Sequence, residues 1–447
     1  MKAASKSERP VMWVPRVERR IVGALRRFGA DRRGAVALIF GFALVPIILA
    51  AGAALDYSVA SSAKTSLDAA ADAAVMAAVR RAAMGEKAAD AEANARVLFE
   101  AAARKIPSLT LESAQVLVTD VDGTRTATVD YRARVPTRLV AIAGIKTIPV
   151  QGEAIGRAAR PNYIDFHLLL DNTPSMGLGA TTADIDKLVA ATAGAAEDAS
   201  CAFACHEKSK SGNDRYALAR KIGVQMRIDM VRQATVKLID TAGSTAAVPK
   251  QFRVGIHTFG TECSKQDTKL TTLRSLTDDL AAAKTDAAGI DLMPIKHQNF
   301  YNDQCTNSDE VLADMDKAIQ SAGDGSSDKS PQKVLFIVTD GVTDAHYPSS
   351  CARPTVGGRC QEPMKIATYT ALKARGVRVA VLYTTYLPLP TNGWYQTWIA
   401  PFAAKLPTQL QECASPGLFF EVSPSQGIPE AMVALFQKAV AQARLTR

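Results

Sequence analysis

From Tyr163 onward the chain alternates short apolar runs with longer stretches in which apolar residues recur at helical spacing. The runs Tyr163–Leu170, Phe252–Phe259, Lys333–Thr339, Val377–Tyr383 and Leu418–Val422 have the length of strands. Their near-continuous Val, Ile, Leu and Phe content suits strands buried on both faces. Helices are expected at Gln225–Ala242, Leu276–Ala288, Asp309–Ala322, Pro363–Ala374 and Pro429–Ala443. This alternation predicts an α/β class with a mainly parallel sheet covered by helices. Two stretches exceed a minimal unit: residues 178–222, an insertion after the first strand, and residues 340–362, a cysteine-bearing loop.

The first 161 residues follow a different pattern. Gly34–Leu55 is a 22-residue span without a charge, long enough to cross a bilayer, and membrane helices tolerate a proline such as Pro46. Asp56–Arg104 is built from strong helix formers, with Gly85 as its one interruption, and predicts a helical stalk that ends by Pro107. The period then changes to two. Gln115–Thr119 and Thr126–Ala133 read as strands joined by a turn at Asp122-Gly123. A short helix near Leu139–Ala143 and a strand near Ile148–Ala154 complete a small α+β module. The expected organisation is a basic leader at 1–33, a transmembrane helix at 34–55, a stalk module at 56–161 and an α/β domain at 162–447.

Charge sharpens this picture. The formal net charge is +9, but residues 1–33 hold ten Lys/Arg against three acids and supply +7 of it. A basic leader beside an apolar span is a topology signal rather than a nucleic-acid footprint, so nucleic-acid binding is not expected. The leader keeps the amino terminus on the cytoplasmic side and sends the rest of the chain across the membrane. A cleaved signal peptide, with Ala51-Gly52-Ala53 as cleavage site, is the rival reading. It is opposed by an apolar core longer than the usual 7–15 residues. All seven cysteines (201, 205, 263, 305, 351, 360 and 413) lie beyond residue 200. In an oxidising compartment they predict three disulfides and one thiol, with Cys201–Cys205 and Cys351–Cys360 close enough for local loops.

The candidate chemistry gathers at strand ends. Asp171-Asn172-Thr173-Pro174-Ser175 follows the first buried strand, and Thr339-Asp340-Gly341 follows the third. Between them, Cys305-Thr306-Asn307 precedes the helix that starts near Ser308. Ligand crevices of open α/β sheets lie at the carboxyl ends of strands. Two carboxylates and three hydroxyls there are hard oxygen donors of the kind Mg²⁺ or Mn²⁺ takes. No nucleophile or general base accompanies them, so catalysis is not expected. His167 and His257 fall inside strands and read as structural, and His297 and His346 lie in loops nearer the rim.

This ordered set resembles the metal-ion-dependent adhesion site of the von Willebrand factor A family. Asp171, Thr173 and Ser175 fill its Asp-x-Ser-x-Ser loop, with Thr in place of the first Ser, Thr306 its second loop and Asp340 its third. The resemblance covers residues 162–447 and implies a Rossmann-like fold. It further implies an Mg²⁺ or Mn²⁺ ion whose shell is completed by an Asp or Glu of a protein partner, with no small-molecule substrate. The insertion after Ser175 departs from the family pattern.

The amino-terminal part resembles TadG-type pilus-assembly proteins. The residues that carry this are Arg32-Arg33-Gly34-Ala35-Val36-Ala37-Leu38-Ile39-Phe40, Ala54-Leu55-Asp56-Tyr57, Val135-Pro136-Thr137 and Val150-Gln151-Gly152. Ile39 stands where related pilin-like proteins carry the Glu of a prepilin peptidase signal. The resemblance implies a single-pass protein of the bacterial inner membrane with a periplasmic main domain that binds pilus-assembly components. A surface adhesin for host or matrix proteins, and a metal-dependent hydrolase, are the alternatives. Cys201-Ala202-Phe203-Ala204-Cys205-His206 has one residue too many for haem attachment, and a disulfide staple is expected there. Residues 384–398, with Tyr386, Trp394, Tyr395 and Trp398, should sit near the metal rim, either as a partner-contacting lip or packed on the domain.

Overall fold

The computed structural model describes residues 33–196, 199–210, 212–263, 269–297, 303–346, 348, 350–422 and 427–445. The basic leader at 1–32 lies outside them. The chain divides into two compact units, Met1–Ala78 with Ala88–Val118 and Thr126–Gly156, and Val79–Lys87 with Thr119–Arg125 and Arg157–Arg447.

In the first unit, α1 (Arg33–Val79) is one long helix whose amino-terminal part leaves large apolar side chains exposed, among them Phe40, Phe42 and Ile47. One 44-residue stretch of it, Val36–Val79, is long and apolar enough to cross a membrane. Further along, Ala60, Ala63, Leu67, Ala71 and Ala74 form a buried stripe at helical spacing. The helical stretch expected over Asp56–Arg104 is interrupted at the glycine that stood out in it, Gly85. The chain breaks at Arg81–Gly85, a 3₁₀ turn, and resumes as α2 (Ala88–Ala103). Good helix formers did not prevent this, because propensity is a weak prior beside tertiary packing. Strands β1 (Thr110–Val121), β2 (Thr124–Pro136) and β3 (Thr147–Ala159) form a three-stranded sheet in that order. Asp122 (φ 47°) and Gly123 (φ 69°) supply the left-handed pair that a two-residue hairpin turn requires. In β2 the buried positions alternate, Ala127, Val129, Tyr131, Ala133 and Val135, and Tyr131 packs on Phe99 of α2 at 5.7 Å between ring centroids.

The sheet of the second unit is built from β4 (Ile164–Leu170), β5 (Phe252–Thr258), β6 (Thr271–Thr277), β8 (Gln332–Thr339), β11 (Arg378–Thr384) and β12 (Phe419–Val422). Their order across it is β12-β11-β8-β4-β5-β6. All neighbours are parallel except the edge strand β6, which runs antiparallel to β5. The sheet is therefore mixed and mostly parallel. Five of its strands fall at the runs expected from sequence. The sixth, β6, does not, and the helix expected from Leu276 begins only at α6 (Leu280–Ala288).

Helices α5 (Arg227–Thr245) and α10 (Ile428–Leu445) cover one face, where Phe166, Leu168, Val254, Ile256, Val334 and Phe336 meet Leu238, Met432 and Phe436. Helices α7 (Ser308–Ala318), α8 (Ala367–Ala374) and α9 (Leu406–Cys413) contribute Leu312, Met315, Leu372 and Leu410 to the core of the other face. One polar residue of β4 is explained by its neighbours in the sheet. Asp165 is fully buried and accepts from Arg253 at 2.7 and 2.8 Å and from Lys333 at 2.9 Å. These three occupy matching register positions on β4, β5 and β8.

The insertion contains α3 (Thr182–Thr192) and α4 (Arg215–Lys221) and closes on itself. Gly179 bridges Met226, Ala180 N donates to the Gln225 carbonyl at 2.8 Å, and Arg227 N donates to the Leu178 carbonyl at 3.1 Å. The stretch 340–362, expected as a loop, carries β9 (Val342–His346) and reaches β10 (Arg359–Pro363). These two pair antiparallel, and β9 also holds β7 (Cys305–Thr306). Disulfides join Cys263 to Cys305 and Cys351 to Cys360, the second being one of the local loops expected. Cys413, at the end of α9, is a buried thiol.

Candidate metal centre

The order of the sheet reverses between β4 and β8, since connections from β4 run outward through β5 and those from β8 outward through β11. In open α/β sheets the ligand crevice lies at such a switch point. Asp171 is the first residue past β4 and Asp340 the first past β8, so both carboxylates emerge at this reversal. Asp171 N still donates to the Val338 carbonyl at 3.0 Å, which extends the β4–β8 ladder into the loop.

The loop then folds on its own acid. Thr173 donates its N–H to Asp171 Oδ1 at 3.0 Å and its hydroxyl to the same oxygen at 2.7 Å. Pro174 opens a 3₁₀ turn, Pro174–Gly177, which brings the Ser175 hydroxyl 3.3 Å from that of Thr173. The Ser175 hydroxyl also faces the Asp340 carboxylate and favours its charged form. Asn172 anchors the loop from behind. Its side chain donates to the Gly260 carbonyl at 2.9 Å and accepts from Phe259 N at 3.2 Å, while its carbonyl accepts from Met293 N at 2.7 Å. From the neighbouring strand, the Thr339 hydroxyl donates to Asp171 Oδ2 at 2.8 Å. Asp340 Oδ1 accepts from Val342 N at 3.2 Å.

Thr306 reaches the same end of the domain by another route. It lies in β7 opposite Asp344 of β9, four residues beyond Asp340, and the Ser308 hydroxyl bonds that of Thr343. The Cys263–Cys305 bridge ties this segment to the chain that leaves β5. Thr306 is buried, and its hydroxyl makes no hydrogen bond to Asp171 or Asp340. Asp171, Thr173 and Ser175 thus form one hydrogen-bonded loop, Asp340 faces it as the neighbouring charge, and together they make one cluster beside which Thr306 lies.

Sequence reasoning missed two residues of the cluster. Arg227, the first residue of α5, is fully buried. Its Nη1 lies 3.3 Å from Asp340 Oδ2, and its Nη2 donates to the Thr385 carbonyl at 2.9 Å. It also lies over the ring of Tyr386, 4.9 Å from the centroid. Nothing in the local pattern marks it, since a helix-starting Arg reads as a surface residue. The Met226–Gly179 closure is what delivers it. Thr339 had a signal, as its hydroxyl belongs to the Thr-Asp-Gly run.

The electrostatics of the cluster favour a cation. Asp171, Thr173 and Asp340 are all at zero exposure, and the Arg227 guanidinium pairs with the carboxylate of Asp340. Burial, and after it the charge of Asp340, push the Asp171 carboxyl well above the usual carboxylate range. Burial likewise raises that of Asp340, and Arg227 opposes it. The donor set of carboxylates and hydroxyls fits Mg²⁺ or Mn²⁺, whose charge would relieve this repulsion. The loop after β11 borders the site, with Tyr386 against the Arg227 guanidinium. Tyr386, Leu389 and Tyr395 are buried, Tyr386 and Tyr395 stack at 5.8 Å, and Trp394 Nε1 donates to Gln361 Oε1 at 3.0 Å. That loop packs on the domain, and Ser175 is the half-buried member of the cluster.

His167, His257 and His346 stand apart from this chemistry. His167 and His257 stack 6.0 Å apart on β4 and β5, and His346 Nδ1 lies 2.7 Å from Gln304 Oε1.

The family comparison bears on the other end of the chain. Residues 34–83 match the Tad family, described as putative Flp pilus-assembly TadE/G-like. That match spans α1 and the greater part of the 3₁₀ turn after it. Among curated proteins, none matches. Solved structures similar to the chain include the PilB minor pilin from Streptococcus sanguinis, at 12% identity and a TM-score of 0.36, covering 75% of this chain and 79% of that one. The vWF domain of the type V pili tip protein Mfa5 from Porphyromonas gingivalis gives 11% identity and a TM-score of 0.34, with 64% and 97% covered. The pilus adhesin SpaC from Lactobacillus rhamnosus GG gives 10% and 0.34, with 76% and 35% covered.

Proposed function

We propose that this chain is a membrane-anchored, non-enzymatic protein of Tad/Flp-type pilus assembly or anchoring. Its α/β domain, of von Willebrand A type, binds a protein partner through a divalent metal. The observation that carries the metal part is the cluster of Asp171, Thr173, Ser175 and Asp340 at the β4/β8 switch point. The family match at residues 34–83 carries the pilus part. Asp171 and Asp340 would hold Mg²⁺ or Mn²⁺ with the hydroxyls of Thr173 and Ser175, directly or through water, and Thr306 would approach from β7. The ion would supply an electrophilic point for a partner's Asp or Glu. Arg227 and the Tyr386 loop control access to it. The anchor α1 would hold the domain in the periplasm, with the amino terminus cytoplasmic.

The test is a crosslinking pull-down of the full chain from membranes, with Mg²⁺ or with chelator. Pilus-assembly components captured only with metal support the reading. Capture that is indifferent to chelator, together with no Mg²⁺ or Mn²⁺ binding by calorimetry, removes the metal part. Metal-dependent capture of host or matrix proteins instead would assign the chain as an adhesin.

A further inference from the structure

The apolar span of α1 is not bare along its whole length. Gly52 is buried although it lies three residues inside the span's end at Leu55. A Cβ on Gly52 would come within 2.7 Å of Leu139 Cβ, so glycine is what allows this approach. One helical turn later Asp56 is also buried, and its carboxylate accepts the N–H groups of Arg138 (3.0 Å), Leu139 (2.8 Å) and Val140 (2.9 Å). These bonds clamp the turn that joins β2 to β3, residues 138–146, against the helix. Val140 faces inward and is buried. Leu139 is 40% exposed, Ile145 54% and Ile142 83%, the highest value for a large apolar side chain among the described residues.

A clamped turn that holds two isoleucines outward would waste apolar surface in water. The surface is continuous with the span, because its contact residue Gly52 lies about 4.5 Å below Leu55 along the axis, at 1.5 Å per residue. Exposed Arg138 and Lys146 bracket the turn, and exposed Tyr57 stands beside the clamp on α1. Cations and an aromatic ring in this position suit the headgroup layer.

We propose that the turn 138–146 is a second membrane contact. It places Leu139, Ile142 and Ile145 among the lipid chains next to α1, with Arg138 and Lys146 on lipid phosphates. The module would then be held at two points, which fixes the rotation of α1 about its own axis. The proposal rests on the reading of α1 as a membrane span.

The test uses the full chain in vesicles of phosphatidylethanolamine and phosphatidylglycerol, with or without brominated acyl chains. Ile142→Trp is compared with Ile48→Trp in the span and with Ile155→Trp, exposed on β3 well away from the turn. The three native tryptophans are subtracted using the unsubstituted chain. The expected result is that brominated lipid quenches the added emission of Ile142→Trp and Ile48→Trp, and leaves Ile155→Trp unchanged. Quenching at Ile48→Trp alone overturns the second contact and spares the span. Quenching at neither overturns both, and equal quenching at Ile155→Trp overturns the assignment of the contact to the turn. Since Ile142 and Ile155 are exposed, both substitutions leave the packing intact.

Discussion

Arg227 Nη1 faces Asp340 Oδ2 at 3.3 Å, and both side chains are wholly shielded from solvent. A buried pair of this kind is costly to break from one side, about 3–5 kcal/mol, because the remaining charge loses its counter-ion. Arg227→Met should lower the stability of the metal-free chain by that order in urea unfolding, and Arg227→Met with Asp340→Asn should recover much of it. Mg²⁺ should raise the melting temperature of Arg227→Met more than that of the wild type, since the ion replaces the lost cation. Equal shifts in the two proteins would show that Arg227 and the metal do not share Asp340.

Asp171 is the acid on which the loop folds, so Asp171→Ala should abolish Mg²⁺ and Mn²⁺ binding in calorimetry. Thr173→Ser, which keeps the hydroxyl, should bind within a few-fold of wild type. Thr306→Ala should weaken binding by about ten-fold, the scale of supporting contacts at a metal site. Loss as complete as with Asp171→Ala would move Thr306 into the set of direct ligands.

His167 has neither ring nitrogen in a hydrogen bond, and His257 has only Nδ1, 3.0 Å from Thr272 Oγ1. Burial lowers His167 to about 3, helped by the charge of His257, and lowers His257 to about 4. Both lie below the unfolded value of about 6.5. The unfolded chain therefore binds more protons as the pH falls below about 6.5, so stability drops through that window until the folded values are reached. His167→Leu should flatten the acid limb of the stability curve by up to about 1.4 kcal/mol per pH unit relative to wild type. Denaturant titrations at neutral and mildly acidic pH measure this. Identical slopes would mean that His167 charges in the folded state.

The Cys263–Cys305 bridge spans a sequence separation of 42 and ends directly before Thr306. Chain-entropy arguments give such a loop about 4 kcal/mol. Cys263→Ser with Cys305→Ser should cost about 2–4 kcal/mol in unfolding and should weaken Mg²⁺ binding, because β7 loses its covalent tie. Unchanged metal affinity would show that the β7–β9 pairing alone holds Thr306 in place.

The buried strands could be read from sequence because apolar residues fill both faces of β4, β8 and β11, a pattern independent of neighbours. The edge strand β6 could not, since Thr-Thr-Leu-Arg-Ser-Leu-Thr is mostly exposed or half-exposed and exists by pairing with β5. The hairpin of β9 and β10 likewise depends on pairing and on the Cys351–Cys360 bridge rather than on composition. Asp171, Thr173, Ser175 and Asp340 could be named because their loops are short and attached to strand ends. Arg227 could not, since the whole insertion separates it from Ser175 along the chain. The Gly179–Met226 bridge and the bonds from Ala180 N to the Gln225 carbonyl and from Arg227 N to the Leu178 carbonyl bring it back to the cluster. Asp165 could have been explained, since Arg253 and Lys333 occupy the same early position in the two flanking strands.

The insertion leaves the domain at Leu178 and returns at Met226, with its two ends clasped side by side. The clasp has the same width whatever chain hangs from it, and loop closure grows by only about 0.6 kcal/mol for each doubling of length. Proteins built on this sheet can therefore exchange the whole cassette while the register of β4 and the start of α5 stay put. Under the proposed function, selectivity for a partner and retention of the metal would be free to evolve on separate stretches of the chain.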